Sequence, residues 1–406
     1  MLDMEAIKNF SIDKSEWKKV KFGDVVFEPK ESVKDPVAEG IEHVVGLEHI
    51  GSEDMHLRRS ATIEGSTTFT KKFSKGDVLF GRRRAYLKKA AKAEFEGICS
   101  GDITVMRARE ELLIPKLLPF IVNNNNFFDH AITHSAGGLS PRVKFKDLAN
   151  FEFFLPSKTG QQKILLLLEG LDKSLQDELS LKQKLTSNLE AQIEYQIHGE
   201  NLNGKTINQV INSLSNKKEI IKLQELGEII KGKGIAKSEV IESGIPCVRY
   251  GELYTKHHRI IRNFHSFISQ KSSEKAVKLK VNDILFAGSG ETITEIGKSA
   301  AFIENIEAYA GSDILIFRPK DMDGTYLGYL MNSQLVRHQL NKFGTGATVM
   351  HVYGSDIQKI VVPNRNKDEQ IQIANSLEEI ANNIRLLNIK AHQTKELLTL
   401  LLSKVF

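Results

Sequence analysis

Apolar residues recur at intervals of three and four along the C-terminal part of the chain. The positions of this stripe are Ile373, Leu377, Ile380, Ile384, Leu387, Ala391, Thr394, Leu398, Leu401 and Val405. Such alternation is the a and d pattern of a coiled coil, in which a narrow apolar seam faces a partner helix. The pattern therefore predicts a long helix that needs one or two partner helices to bury its seam.

A second apolar stripe lies in the first half of the chain. Its positions are Ile164, Leu168, Leu171, Leu175, Leu185 and Leu189, and it is interrupted by Glu178 and Lys182. A helix over residues 161–198 contains 38 residues, and at about 1.5 Å per residue it measures about 57 Å. We expect the two helices to pack against each other. The alternative is that each helix packs separately on its own domain.

The rest of the chain, residues 17–156 and 221–363, alternates short β-type runs with turns rich in Gly, Asn and Asp. The clearest predicted strands are 77–80, 104–106 and 151–154, and the predicted polar helices are 115–123 and 326–341. This mixture is typical of an α+β domain. Residues 199–218, rich in Asn and Lys with scattered Ile and Leu, indicate a linker with one short helix.

The chain also repeats itself, and a repeat constrains the fold more than any single element does. Five segments recur in the same order at nearly constant offset. They pair 22–25 with 226–229 (offset 204), 76–80 with 282–286 (206), 102–107 with 313–318 (211), 154–156 with 361–363 (207), and Gln161 and Ile164 with Gln370 and Ile373 (209). Small loop insertions explain the drift, so we predict two copies of one unit.

Together these patterns predict an α+β fold with two α/β domains in tandem repeat and two long helices. The predicted segments are a first domain at 1–157, a first helix at 158–199, a linker at 200–218, a second domain at 219–364 and a second helix at 365–406. A length of 406 residues agrees with this division, since a domain takes roughly 150 residues.

Composition narrows the class of protein. With 41% hydrophobic and 26% charged residues, the chain is neither collagen-like nor largely disordered. No apolar run approaches the roughly 20 residues of a membrane helix, and the charged N-terminus does not fit a signal peptide, so we expect a cytoplasmic protein. Two cysteines, Cys99 and Cys247, exclude a disulfide framework and a four-cysteine zinc site. A net charge of +5 is compatible with a polyanion partner without requiring one.

Three motifs fall short of catalytic or metal sites. Residues 283–290 match the D-x-x-F-x-G-x-G pattern of a turn that binds S-adenosylmethionine. The chain, however, has no Asn- or Asp-Pro-Pro-aromatic loop to hold a target amine. Residues 297–299 resemble the end of a phosphate loop, but Thr292 stands where its first glycine is required. His257 and His258 lack the spacing of metal ligands. We therefore predict no catalytic residue, no metal site and no cofactor in this chain.

A basic loop follows the predicted strand at 77–80. Residues 82–92 include six cations and no acid. Arginine suits phosphates and guanine edges because its planar guanidinium donates two parallel hydrogen bonds. The matching loop of the second copy, 287–293, is rich in Gly, Ser and Thr instead, as two domains reading different sequences require. The candidate DNA contacts are Arg82, Arg83, Arg84, Tyr86 and Lys88 in the first copy and Ser289 and Thr292 in the second. The alternative is a solvated basic loop.

Two further loop pairs are candidate DNA contacts. In 135–142 and 344–351, glycines and small polar residues let a backbone approach a phosphate; ordinary turns are the alternative. The basic and aromatic stretch at 249–256, which continues to Arg259 and Arg262, either faces a groove or forms a solvated strand edge; its match is 45–50. The residues singled out are Ser140, Arg142, Thr345, Thr348, His351, Arg249, Tyr254 and Lys256.

These features resemble the specificity subunit of type I restriction–modification systems over nearly the whole chain. The resemblance rests on the Trp17 and Gly23-Asp24-Val25 start of the first copy, the Gly76-Asp77-Val78-Leu79-Phe80 strand before a variable loop, and the Val362-Pro363, Glu369-Gln370 and Ile373 entry into a long helix. The chain departs from the family pattern at two positions. Ile221 stands where the second copy would have its Trp, and Gly160 replaces the Glu before Gln161.

The resemblance implies two target-recognition domains, each reading half of a bipartite DNA sequence, separated by two long antiparallel coiled-coil helices. It implies double-stranded DNA, two methyltransferase subunits and two restriction subunits as partners, with the helix seams as partner contacts. S-adenosylmethionine, ATP and Mg are expected only in those partner subunits. Two other functions stay open: a freestanding DNA-binding regulator, and a DNA methyltransferase, against which the missing loop argues.

Overall fold

A computed structural model describes residues 11–63, 68–198, 204–290, 292, 295–343 and 350–406. The chain forms two compact units. The first consists of Met1–Ser180 with Leu387–Phe406, and the second is Leu181–Leu386. Each unit therefore contains one strand-rich domain together with a part of each long helix.

The described residues of the first unit form three small sheets. Its strands are β1 (Lys18–Lys21), β2 (Val26–Phe27), β3 (His43–Val45), β4 (Ala61–Thr62), β5 (Lys71–Phe73), β6 (Val78–Gly81), β7 (Ala90–Lys92), β8 (Gly97–Cys99), β9 (Ile103–Ala108) and β10 (Glu152–Leu155). The sheet orders are β2-β9-β6-β7, β4-β3-β8-β5 and β1-β10. All pairs are antiparallel except β3 with β8. The sheets supply the buried Val, Ile and Phe side chains of the domain core.

Short helices cover the sheets of the first unit. They are α1 (Phe22–Val25), α2 (Leu118–Val122), α3 (Asn125–Thr133) and α4 (Phe145–Leu148), with 3₁₀ turns at Leu47–His49, Ala85–Leu87 and Pro115–Leu117. The first long helix, α5 (Lys158–His198), follows. The helix predicted at 115–123 is present as the Pro115–Leu117 turn continued by α2.

The second unit repeats this architecture. After α6 (Ile207–Asn216), its strands are β11 (Ile220–Lys222), β12 (Gly227–Lys231), β13 (Ile245–Val248), β14 (Arg259–Ile260), β15 (Ser266–Ile268), β16 (Val277–Lys278), β17 (Asp283–Ala287), β18 (Ser289–Gly290), β19 (Ser299–Phe302), β20 (Tyr309–Ala310), β21 (Ile314–Pro319), β22 (Met350–His351) and β23 (Val361–Pro363). The sheet orders are β12-β21-β17-β19-β14, β15-β13-β20-β16, β11-β23 and β18-β22. Helix α6 is the short helix predicted for the linker.

The helices of the second unit are α7 (Leu223–Leu226), α8 (Glu252–Thr255), α9 (Gln270–Ser273), α10 (Gly324–Leu330), α11 (Gln334–Phe343), α12 (Gly354–Ile357) and the second long helix α13 (Lys367–Val405), with a 3₁₀ turn at Lys237–Glu239. The prediction of one helix at 326–341 was wrong, because α10 and α11 are separate. Between them Asn332 donates to the Gly328 carbonyl at 2.9 Å, and the Ser333 hydroxyl donates to the Leu330 carbonyl at 2.7 Å. Such side-chain bonds compete with the helical ladder.

A buried ion pair recurs at the same place in both units and explains why the sequence repeats there. In the first unit Arg107 donates to both carboxylate oxygens of Asp77 at 2.7 and 2.8 Å. In the second unit Arg318 binds Asp283 in the same way, at 2.9 and 2.7 Å. Both aspartates are buried, and a buried charge needs such a partner. In each unit the ion pair links the beginning of the strand that leads into the variable loop (β6 or β17) to the neighbouring strand (β9 or β21).

The structure corrects the repeat alignment at its two ends. The counterpart of α1 is α7 at an offset of 201, not the segment 226–229. Phe22 N donates to the Phe151 carbonyl at 2.7 Å, as Leu223 N donates to the Ile360 carbonyl at 2.9 Å. Residues 154–156 likewise correspond at an offset of 209, not 207. The sequence alignment was wrong there because it matched Gly23 with Gly227, and these two glycines lie in different elements, α1 and β12.

The same correction changes the expected place of the missing Trp. Val20 lies opposite Phe153 in the β1–β10 pair, and Ile221 lies opposite Val362 in the β11–β23 pair. Ile221 is therefore the counterpart of Val20, a strand position, and does not replace Trp17.

The two long helices pair antiparallel, which confirms the predicted fold class. In the first unit, Leu168 near the start of α5 shares a core cluster with Leu398 and Leu401 near the end of α13. In the second unit, Ile193 near the end of α5 shares a cluster with Leu377 near the start of α13. Both clusters also contain side chains of the adjoining domain. The helices therefore pack on each other and on the domains, which combines the two arrangements that the sequence left open.

Every predicted seam position is at least partly buried. Those that are fully buried are Leu168, Leu175, Leu189, Leu377, Leu398 and Leu401. Those that are half-buried are Ile164, Leu171, Leu185, Ile373, Ile380, Ile384 and Leu387. Glu178, which interrupts the stripe, is buried and lies 3.2 Å from Lys390 Nζ on α13. Within the described ranges, no helix combines the length and apolar character that crossing a membrane requires.

Candidate nucleic-acid interface

In the first unit the structure joins two loops that the sequence predicted separately. Arg83 and Arg142 face each other as an isolated antiparallel bridge. Arg84 N donates to the Pro141 carbonyl at 2.8 Å, and Val143 N donates to the Arg82 carbonyl at 3.0 Å. The basic loop and the 135–142 loop therefore form one surface, which we call the arginine platform (residues 82–88 and 139–143).

Asp102 holds the arginines of this platform. Arg142 Nε donates to its Oδ1 at 2.7 Å, and Arg83 Nη1 donates to its Oδ2 at 3.3 Å. Arg83 Nη2 also donates to the Ser140 hydroxyl at 3.1 Å. The hydrogen bond from Arg142 lowers the pKa of the Asp102 carboxyl, so the carboxylate keeps its charge well below neutral pH. Both guanidiniums stay partly exposed and are held in fixed directions, as bidentate base recognition requires.

The other predicted residues of the basic loop differ in what they present to solvent. Arg84 is exposed, with a left-handed backbone at φ 54°, and its side chain lies near the Leu139 carbonyl at 3.5 Å. Tyr86 is exposed on the 3₁₀ turn. Lys88, by contrast, donates to Asn125 Oδ1 at 2.8 Å and is only partly accessible. Arg84 and Tyr86 are therefore free to reach a ligand, whereas Lys88 is engaged in holding the loop.

Leu139 is a feature that the residue types alone did not single out. Its side chain is 96% exposed at the tip of the 135–142 loop, next to Ser140 and the arginines of the platform. Single exposed leucines are common on protein surfaces. On a surface that meets DNA, however, an apolar tip suits the methyl group of thymine.

In the second unit the same backbone frame supports the corresponding loops. Gly288 N donates to the Asp313 carbonyl at 3.0 Å, as Arg82 N does to the Asp102 carbonyl at 3.0 Å. Val352 N donates to the Gly288 carbonyl at 3.0 Å, which matches the bond from Val143 to Arg82. Strands β18 and β22 place Ser289 opposite His351. These are the positions that Arg83 and Arg142 occupy in the first unit.

The side chains on this shared frame have different chemistry. The arginine pair of the first unit is replaced by Ser289, which is half-buried, and His351, which is exposed. Thr292 is also exposed. The predicted contacts Thr345 and Thr348 lie outside the described residues. Two equivalent loop pairs on one frame, with different donors and acceptors, are suited to reading two different base sequences.

The third predicted stretch has a mixed role. Arg249 N donates to Glu252 Oε2 at 3.0 Å, and Tyr254 is half-buried against the core below α8. Lys256 is exposed. Helix α8 packs against β17, the strand that leads towards Ser289. Arg249 and Lys256 thus remain predicted contacts, whereas Tyr254 also stabilises the domain.

The continuation of this stretch fits neither alternative that the sequence left open, because Arg259 and Arg262 bind the long helices. Arg259 is buried and donates to both carboxylate oxygens of Glu190 on α5 at 2.8 and 2.7 Å. Arg262 donates to both oxygens of Glu378 on α13 at 2.7 Å. Their charges are neutralised inside the second unit, so they contribute to attaching the domain to its helices.

We expect Arg83→Ala and Arg84→Ala to weaken DNA binding in different ways. Arg83, held by Asp102 and Ser140, fits a base contact, whose loss costs about 1–3 kcal/mol and relaxes the sequence preference at one position. The exposed Arg84 fits a phosphate contact, whose loss weakens binding to all sequences alike and lowers the salt slope by about one. Affinities for single-base variants of the target at several salt concentrations distinguish the two effects. Arg59→Ala, an exposed arginine of the same unit, is the control, and unchanged behaviour of both test variants would mean that the loop faces only solvent.

Comparison with known proteins agrees with this architecture. Residues 215–396 match the type I restriction modification DNA specificity domain. A curated relative, the type I restriction enzyme MjaVIII specificity subunit of Methanocaldococcus jannaschii, is 22% identical over 310 residues, which are 74% of this chain and 71% of that protein.

Two solved structures share the fold over almost the whole chain. One comes from work on complex assembly and conformational transition of the type I restriction–modification system; it has a TM-score of 0.57 and 19% identity, covering 96% of this chain and 97% of that one. The other is the S subunit of a type I restriction–modification system from M. genitalium, with a TM-score of 0.59 and 13% identity, covering 96% of both chains. Residues 215–396 thus match a type I restriction modification DNA specificity domain, and the chain as a whole is similar in sequence and fold to specificity subunits of type I restriction–modification systems.

Proposed function

We propose that this chain is the DNA-recognition subunit of a type I restriction–modification complex. Each domain reads one half of a bipartite target, and the paired helices carry the partner subunits. The observation that carries the proposal is the shared backbone frame, which presents Arg83 and Arg142 in the first unit and Ser289 and His351 in the second. A protein that reads two different half-sites needs the same backbone frame in both domains and different side chains on that frame.

The partners in this proposal are double-stranded DNA, two methyltransferase subunits and two restriction subunits. A tandem repeat offers each surface twice, so two copies of a partner fit a duplicated chain. S-adenosylmethionine, ATP and Mg belong to those partners, and the chain itself is non-catalytic.

One contact supports the absence of a cofactor role for residues 283–290. The carboxylate of Asp283, the first residue of that motif, is buried and bonded to Arg318. Asp77 of the first unit makes the same bond to Arg107 without the glycines of the motif. The aspartate is therefore part of the repeated scaffold, and its oxygens are already engaged.

Methylome sequencing of the host, with and without this gene, tests the proposed function. We expect methylation at one bipartite sequence to disappear when the gene is deleted. Purification with the partner subunits distinguishes this function from a freestanding regulator, since a regulator binds its site with full affinity without a methyltransferase. Calorimetry that detects stoichiometric S-adenosylmethionine binding to the isolated chain would overturn the non-catalytic assignment.

A further inference from the structure

A basic cleft lies in the first unit, lined by Arg82 of the basic loop and by residues near β2 and α4. Its volume is about 600 Å³. Four cationic residues line it: Lys30, Arg82, Lys144 and Lys146. Three of them, the lysines, are exposed and were not singled out by the sequence, because they lie in two separate segments, near the end of β2 and at α4.

The charge of this cleft is poorly compensated from within. Glu28 is the one acid among its lining residues, and it is engaged by Lys71, which lies 3.4 Å away. The Nε atom of Arg82 is buried without a hydrogen-bond partner among the residues that the structure describes. A buried donor without an acceptor is unfavourable, and an anion in the cleft would offset the positive charge of this guanidinium.

Among the residues that the structure describes, the second unit has different side chains at this place, although it repeats the frame around it. Through the matched hydrogen bonds of the frame, Arg82 corresponds to Gly288 and Lys144 corresponds to Tyr353. At Gly354, the counterpart of Phe145, an added Cβ would lie 2.9 Å from Ile229 Cγ2, so the space is occupied. Arg82, Lys144 and the space beside Phe145 are therefore particular to the first domain and do not follow from the shared fold, whereas Lys231 stands at the position that matches Lys30.

We propose that this cleft binds the phosphate backbone of the DNA strand that adjoins the half-site read by the arginine platform. The proposal rests on the proposed function. Adjacent residues of an extended segment direct their side chains to opposite sides, so Arg83 reaches Asp102 while Arg82 lines the cleft. Lys144 likewise follows Val143, which is bonded to Arg82. The residues for base contacts and those for contacts to the DNA backbone thus lie side by side. Long exposed lysines suit phosphates rather than base edges.

The test uses the complete complex with its methyltransferase partner and a duplex that contains its methylated sequence. The variant is Lys30→Ala with Lys144→Ala and Lys146→Ala. Because each phosphate contact contributes about 0.9 to the slope of log affinity against log salt, we expect the slope to fall by about two to three. The ratio of affinities for the target and for single-base variants should stay unchanged. The control is Lys34→Ala with Lys75→Ala and Lys163→Ala, which removes three exposed lysines of the same unit outside the cleft.

Two results would overturn the proposal. One is a salt slope that is unchanged, or that falls equally in the control, because the lysines then act only through net charge. The other is calorimetric binding of inorganic phosphate that the cleft variant abolishes without any change in the DNA salt slope, because the cleft is then a site for a small anion. If the wild-type complex shows no sequence discrimination, the proposed function itself fails, and this outcome is distinct from both.

Discussion

Exchange of residues 20–155 for the matching region of a relative will change one half of the methylated sequence and leave the other half intact. The exchanged segment begins in β1 and ends in β10, which pair directly, with Val20 opposite Phe153. The new domain therefore enters and leaves the scaffold at neighbouring points. The first unit's arginine platform lies entirely within the exchanged segment, whereas Ser289 and His351 lie outside it.

The structure indicates which relative is suitable for this exchange. Gln161 on α5 accepts from Ile114 N and donates to the Leu112 carbonyl, both at 2.9 Å. Asp172 on α5 accepts from His56, with both carboxylate oxygens 3.0 Å from Nε2. If the relative's domain has a His at the position of His56, the hydrogen bond between the domain and Asp172 on α5 is preserved. Methylome sequencing measures the result. The corresponding exchange of 221–362 should change the other half of the methylated sequence. A change in both halves from either exchange would contradict independent reading of the two half-sites.

Leu377→Lys combined with Ile384→Lys will abolish assembly with the methyltransferase subunits or unfold the second unit. Leu377 is fully buried in the cluster that joins α13 to α5, and Ile384 packs against the same cluster. A buried charge without a partner costs several kcal/mol, which is comparable to the total stability of a domain. Yield of the purified complex, thermal unfolding and target affinity measure the effect.

The matched control for this variant is Asn375→Lys with Asn382→Lys. It introduces the same two charges at the same spacing on α13, but both positions are exposed. We expect the control to assemble and bind the target as the wild type does. If the seam variant also gives wild-type complex yield and affinity, the seam does not mediate assembly.

The features that could be predicted from the sequence are those that depend on local order. The period of the seams predicted α5 and α13 within a few residues of their bounds, because burial of one helix face requires apolar residues every three to four positions. The repeat predicted two domains of the same architecture, and it located the strands before each variable loop. It failed where similar residues lie in different elements, as with Gly23 and Gly227, since backbone pairing rather than residue type decides which positions are equivalent.

The candidate interface was predictable only in part. Arg83 and Arg142 were singled out on separate loops, but Asp102, which holds both, is 19 positions from the first and 40 from the second. Its signal in the sequence was the repeat of Asp102 as Asp313, which was used there only as part of the recurring segment 102–107. The lysines of the basic cleft gave no signal, because each looks like an ordinary solvated charge until the chain brings them together.

The sequence by itself determined the tandem repeat, the paired helices and the place of the variable loops, because periodicity and repetition are properties of the linear order. Only the tertiary structure decided which charged side chains meet. Arg259 and Arg262 look the same in the sequence as the arginines of the platform, yet their acceptors Glu190 and Glu378 are 69 and 116 positions away. An ion pair forms only when two charges lie within a few ångströms of each other. The apolar pattern of the sequence specifies which face of an element is buried, but the packing of the elements decides which charges lie that close.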